Sequence, residues 1–208
     1  MSLEAQIAAL VQASNNLTSA VNGKIGEIDK EMDVALSQFE EWRNLKDVIG
    51  NPTGFGTMRM NILQGHIYGT GGDQGASVSD EGSFQVTDLG TSVNIYIHFK
   101  VPLNVNVNNE MFWFNVKGYS YGTAKIIDET IVGYCYSPVR DIQSKSAFGN
   151  MTPDVYKDSN GNVVLRLLIP SIYYTTIRVD TMRVGNGRLF NIGDLKTKLS
   201  LSPTVVFS

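Results

Sequence analysis

With 208 residues, the chain has room for one ordinary domain plus an appendage. Its 17 Lys and Arg against 20 Asp and Glu leave a net charge of −3 with no basic run, which argues against nucleic-acid binding, because neutralising phosphates takes clustered cations. The single cysteine, Cys135, excludes an intramolecular disulfide framework and any CxxC metal or redox motif, and no apolar stretch approaches the ~20 residues that a membrane-spanning helix requires.

Residues 1–49 carry a narrow apolar seam with 3-4 spacing: Leu3, Ile7, Leu10, a polar slot at Ser14, then Leu17, Val21, Ile25, Ile28, Met32, Ala35, Phe39 and Trp42. A stripe this narrow, sustained over several heptads, predicts a helix that packs against copies of itself. With Ile7 at an a position, Leu17, Val21 and Ile25 contain two consecutive steps of four, a stutter that relaxes left-handed supercoiling. Gly23 and Gly26 fall there, each costing up to ~1 kcal/mol of helix propensity relative to Ala, so a weak point or kink is expected. Branched residues at both a and d (Ile7, Val21, Ile25, Ile28) favour trimers or higher over dimers, and Ser14 resembles the polar core residues that set register. The stalk would be ~65 Å long and should end near Ile49, ahead of Gly50-Asn51-Pro52. An amphipathic helix folded back onto the rest of the chain is the alternative; the narrow face and the Gly-Pro junction favour the intermolecular coiled coil. No positive n-region or apolar h-region opens the chain, so no signal peptide is expected.

Residues 50–57 read as a linker, and from Met58 to the end the period switches to two. The clearest strand alternates Val93, Ile95, Ile97, Phe99 and Val101 against Asn94, Tyr96, His98 and Lys100. In 111–118 both faces are partly apolar, which suggests a central strand or one covered by a neighbouring subunit. Further strands are expected at 58–68, 82–87, 125–136, 162–169, 173–183, 188–192 and 199–207. Asn160-Gly161 and Asn186-Gly187 are dipeptides that tight hairpins select, and 69–75 and 103–109 read as loops. The expected architecture of 58–208 is an antiparallel β-sandwich or jelly roll. The fold class is therefore mainly β with an N-terminal α-helix.

Catalytic and metal-binding signatures are missing from the sequence. His66 and His98 have no Asp, Glu or Cys at ligand or triad spacing and read as structural or surface residues. Asp158-Ser159-Asn160-Gly161-Asn162 puts its glycine and twelfth residue wrongly for a calcium loop and reads as a hairpin turn. The Gly-rich segment 69–75 has neither a phosphate-binding lysine nor a following helix. Asp80 with Glu81, and Asp128 with Glu129, could mimic glycosidase carboxylates, but neighbours on a strand point to opposite faces. No enzyme activity, cofactor or metal is expected. Cys135 reads as a buried strand residue. Among the aromatics, Tyr119 and Tyr121 flank Ser120 ahead of Gly122 and could stand on a turn, where exposed rings would serve carbohydrate stacking.

The opening Met1-Ser2-Leu3-Glu4-Ala5-Gln6-Ile7, leading into an Asn- and Thr-bearing coiled coil, resembles the tail-fibre or receptor-binding proteins of tailed bacteriophages. So do the run from Met111 through Phe112-Trp113-Phe114 to Tyr119-Ser120-Tyr121-Gly122 and the later Ile172-Tyr173-Tyr174-Thr175-Thr176. The resemblance covers most of the chain in kind, without a single diagnostic motif. It implies a homotrimer located in the virion and assembled in the host bacterial cytoplasm. Its N-terminal end would join other tail or head proteins, and its distal β head would bind a host surface glycan or protein. The oligomerisation residues would be Leu3, Ile7, Leu10, Leu17, Val21, Ile25, Ile28, Met32 and Phe39, and the receptor-contacting pair Tyr119 and Tyr121. Two other readings stay open: a structural connector or decoration protein whose head binds another virion protein, and a carbohydrate-active enzyme subunit on a coiled-coil tether.

Overall fold

The computed structural model describes residues 2–51, 53–68, 77–79, 84–86, 91 and 93–207. The expectations for Pro52, for the 69–75 loop and for Asp80 with Glu81 lie outside these residues. The chain divides into two compact units, 1–46 and 47–208.

The first unit is one helix, α1 (Leu3–Lys46). Ser2 caps its start, its Oγ accepting from the Ala5 N–H at 3.3 Å, with Glu4 in the first turn and Arg43 and Lys46 in the last, as the helix dipole favours. The helix runs through Gly23 and Gly26 without a break in its secondary structure. Forty-four residues at 1.5 Å each give about 66 Å. Every α1 side chain that the structure describes is exposed, the seam residues included: Leu3 by 72%, Ile25 by 51%, Phe39 by 56%.

The helix stops at Lys46 rather than near Ile49. Val48 and Ile49, both β-branched, form strand β1 (Val48–Ile49), paired antiparallel with Arg59 and Met58 at the start of β2 (Met58–Tyr68). The segment expected as a linker is thus the turn of a short hairpin. The Asn51 side chain accepts from the Thr53 N–H, the Gly54 N–H reaches the Asn51 carbonyl at 2.7 Å, and Arg183 donates to the Thr53 carbonyl while its guanidinium lies over the Phe55 ring.

The remaining strands are β3 (Ser77–Ser79), β4 (Phe84–Val86), β5 (Val93–Asn104), β6 (Asn109–Ser120), β7 (Lys125–Tyr136), β8 (Asp141–Phe148), β9 (Asp154–Lys157), β10 (Asn162–Ser171), β11 (Thr175–Met182) and β12 (Lys196–Ser200). One sheet has the order β1-β2-β11-β6-β7-β8, with β3 added on β2; the other has the order β4-β12-β5-β10-β9. Among the described residues all pairings are antiparallel except β4 with β12. Ile95, Ile97, Phe99 and Val101 of β5, Leu165 and Leu167 of β10, Phe112, Phe114 and Val116 of β6 and Ile177 and Val179 of β11 belong to one buried cluster, so the inner faces of the two sheets share a core. β6 lies between β11 and β7, a central position; its Phe112, Phe114 and Val116 face the shared core, whereas Met111 on the opposite face is 39% exposed. Cys135 is fully buried on β7, where desolvation pushes its thiol up to about 11.

Several expectations change. Residues 188–192 are not a strand: Phe190 leaves the sheet path to bury its ring 4.9 Å from Phe114, and Arg188 donates to the Pro102 carbonyl. Asn186-Gly187 closes a turn through Gly187 N–H to the Val184 carbonyl but leads into no hairpin. The last strand is Lys196–Ser200, and 201–207 form an irregular strap. β8 and β9 carry few apolar residues and exist because β7 and β10 offer them backbone partners. Asn160-Gly161 does turn the β9–β10 hairpin, and Asp158 there accepts from the Asn160 and Asn162 N–H groups, both at 2.9 Å. Burial raises the Asp158 pKa, but the hydrogen bonds from Asn162, Phe207 and Asn160 more than reverse this.

Candidate functional site

Across three adjacent strands of the larger sheet, His66 on β2, Thr176 on β11 and Tyr119 on β6 stand in one row, because Thr176 is registered with both of the others. The row sits on the face away from the core, since neighbouring Ile67, Ile177 and Thr175 are buried. His66 Nδ1 and Thr176 Oγ1 are 2.6 Å apart. Beyond the row, β6 runs into a single 3-10 turn, Tyr121–Thr123, and β10 returns to β11 through Tyr173 and Tyr174. Tyr121 N–H donates to the Tyr174 carbonyl at 3.2 Å and Gly122 N–H to the Tyr173 carbonyl at 3.0 Å, so the two connections are laced together. Ser120 Oγ, donating to the Ser171 carbonyl at 2.9 Å, fixes the base of this lacing.

The result is an open cleft of about 420 Å³ lined by His66, Tyr119, Tyr121, Tyr173, Tyr174 and Thr176. Its rings are set at angles to one another. Tyr173 and Tyr174 meet edge to face at 4.6 Å, Tyr121 lies 5.7 Å from Tyr173 and 6.2 Å from Tyr174, and His66 lies 5.7 Å from Tyr174. Tyr119, Tyr121 and Tyr174 remain 46%, 59% and 45% exposed.

Backbone constraints hold this geometry. Tyr174 has φ +47°, a left-handed conformation that costs a bulky residue on the order of 1 kcal/mol or more. At Gly118 a Cβ would fall 2.0 Å from the Thr176 carbonyl oxygen, so only glycine lets β6 and β11 come this close beneath the cleft.

Tyr119 and Tyr121, the pair singled out by sequence, are thus on one cleft, Tyr121 on a turn and Tyr119 at a strand end. His66, Tyr173, Tyr174 and Thr176 join them through strand register and through the β10–β11 connection. The Tyr173-Tyr174-Thr175-Thr176 run was visible as a motif, but His66 carried no signal of its own.

A second cleft, of about 450 Å³, is lined by Arg59, Glu110, Arg183, Asn186, Gly187, Arg188 and Leu189. Its cations hold the fold: Arg59 donates to the Phe190 carbonyl, Arg183 to the Gly187 and Thr53 carbonyls, and Arg188 pairs with Glu110 at 2.9 Å. Asp128 and Glu129 point to opposite faces of β7. Asp128 pairs with Lys117 at 3.1 Å, and hydrogen bonds from Asn115 and Lys117 lower its pKa. Glu129 is buried, accepts from the Asn150 and Met151 N–H groups, and burial raises its pKa. Among the described residues no three His, Cys, Asp or Glu gather as a metal site, and no helix is long and apolar enough to cross a membrane.

The residues expected to mediate oligomerisation, Leu3, Ile7, Leu10, Leu17, Val21, Ile25, Ile28, Met32 and Phe39, all lie exposed on α1. No protein-family model, no curated protein and no solved structure matches the chain.

Proposed function

We propose that the chain is a homotrimeric virion fibre protein of a tailed bacteriophage, with α1 as a three-stranded coiled coil and the β unit as a jelly-roll-type head that binds a host-surface receptor during adsorption. The observation that carries the reading is α1 itself. A 44-residue helix exposes an apolar seam along its whole length, and such a surface calls for other chains to cover it. Branched residues at Ile7, Val21, Ile25 and Ile28 favour three strands. Trimerisation would also multiply a weak site on each head into useful avidity.

The role is binding rather than catalysis. Support comes from carboxylates of the described β residues, six of which are engaged by cations or backbone: Asp128 by Lys117, Asp141 by Lys157, Asp154 by Arg166, Asp180 by Arg178, Glu110 by Arg188, and Glu129 by backbone N–H groups. The test is light scattering on the full chain together with binding to bacterial cells. The expected result is a mass about three times 22.9 kDa, with saturable cell binding that blocks phage adsorption. A monomer at micromolar concentration overturns the reading. A trimer that joins a virion protein and ignores cells would instead make it a connector.

A further inference from the structure

The aromatic cleft is marked by what its lining lacks as much as by what it holds. Four tyrosines, a histidine and a threonine line it, and among the described residues no Lys, Arg, Asp or Glu joins them. The neighbouring positions on the same strands are charged: Lys117 and Asp128 pair across β6 and β7, and Arg178 on β11 pairs with Asp180. Charge therefore flanks the cleft along one side, the row of Arg178, Lys117 and Asp128, and is absent from its described lining. Three large rings stay about half exposed, and holding Tyr174 at φ +47° adds backbone strain. Such strain persists only where the surroundings enforce it, and here the lacing of Tyr121 and Gly122 to the Tyr173 and Tyr174 carbonyls does so.

Rings set at angles, three of them about half exposed and carrying hydroxyls, match a ligand with one apolar face and a polar rim. A pyranose is such a body: its axial C–H groups form a flat apolar patch, and its equatorial hydroxyls point outward. The C–H patch would lie on a tyrosine face, where the ring's negative quadrupole meets weakly positive hydrogens. The phenol hydroxyls, Thr176 Oγ1 and the His66 ring would meet the sugar hydroxyls. An acidic sugar, a sulfate or a phosphate would find no cation among the described lining residues to offset its desolvation. At about 420 Å³ and widely open, the cleft suits one or two sugar rings and weak binding.

We propose that this cleft binds a neutral pyranose of a surface glycan by ring stacking, with Tyr121 and Tyr119 as stacking platforms. In its biological setting the proposal rests on the receptor-binding reading above, and it names the receptor's chemical class.

Saturation-transfer NMR on the full chain tests it, using the methyl glycosides of glucose, galactose, mannose and rhamnose, with methyl glucuronide and sialic acid as charged counterparts. Transfer to the C–H protons of at least one neutral glycoside is expected, and little to the charged pair. Tyr121→Ala and Tyr119→Ala, checked for an unchanged thermal midpoint, should each weaken that binding about tenfold, the loss of one stacked ring. Tyr119→Phe keeps the ring and should stay within about threefold of the parent. Lack of transfer to every neutral glycoside, preference for the charged sugars, or full binding by folded Tyr121→Ala and Tyr119→Ala would each overturn the proposal. Cell binding by the same variants separates the two readings. Loss of sugar binding with cell binding intact makes the cleft irrelevant to adsorption and leaves the fibre standing. Sugar binding at the cleft by a chain that is monomeric and ignores cells keeps the site and removes the fibre.

Discussion

The Tyr156 hydroxyl lies 2.9 Å from Nδ1 of His98, and this contact joins strand β9 to strand β5 on the side where the C-terminal strap lies. The other ring nitrogen, Nε2, is 3.1 Å from the Ser202 carbonyl, which can only accept, so Nε2 carries the proton and Nδ1 accepts from Tyr156. The Val205 N–H in turn donates to the Tyr156 oxygen at 3.0 Å. The strap is further held by Arg166 on the Pro203 carbonyl, Lys198 on the Val206 carbonyl and the Phe207 N–H on Asp158. His98, expected on a polar strand face, is fully buried beneath it.

This arrangement makes stability depend on acid. Desolvation lowers the His98 pKa from 6.5 to about 4, with Arg166 and Lys198 adding to the effect against the opposing hydrogen bond to Ser202. The unfolded chain then binds a proton that the folded chain refuses. The contribution is complete above pH 6.5 and is lost as pH falls towards 4, with a ceiling of roughly 3 kcal/mol. The thermal midpoint of the β unit within the full chain should fall over that window, and His98→Gln should flatten the dependence.

Glu129 acts with the opposite sign. Burial raises its pKa, so the folded chain holds its proton more tightly, and its charged form costs stability as pH rises above 4.5. Even so, its oxygens satisfy the Asn150 and Met151 N–H groups at 3.1 Å. Glu129→Ala should therefore destabilise by about 3 kcal/mol in chemical denaturation, because those donors lose their acceptor. A change below about 1 kcal/mol would mean that solvent takes the place of the carboxylate.

Gly118→Ala should separate β6 from β11. The added carbon would meet the Thr176 oxygen at 2.0 Å, and backbone cannot swing aside as a flexible side chain can. A loss of about 3 kcal/mol is expected, read from the shift of the denaturation midpoint. Gly23→Ala, on an exposed helix with open space around it, should instead stabilise α1 by up to about 1 kcal/mol.

Ile25→Asp combined with Ile28→Asp tests the stalk. Both side chains are more than half exposed on a single chain, so the charges cost little to one isolated helix. In a three-stranded seam they would be buried and unpaired. Light scattering should show the mass dropping towards 22.9 kDa with the thermal transition of the β unit retained. An unchanged trimer would place the driving force for assembly in the β unit.

The sequence by itself determined the elements whose pattern is periodic and self-sufficient. The seam from Leu3 to Trp42 specifies a long helix, and the alternations of β2, β5 and β7 specify strands, with the inward set Ile95, Ile97, Phe99 and Val101 legible as core, because side-chain period follows directly from backbone geometry. Tertiary structure decided everything that depends on a distant partner. β8 is too polar to announce itself and forms because β7 supplies its hydrogen bonds. Residues 188–192 look like a strand but give Phe190 to the core instead. His98 alternates as a surface residue and is buried because a strap more than 100 positions away covers it. Tyr119 and Tyr121 could be picked out as turn-borne rings. Their union with His66, Tyr173, Tyr174 and Thr176 required the register of three strands that are far apart in the chain, and local pattern carries no information about register between distant segments.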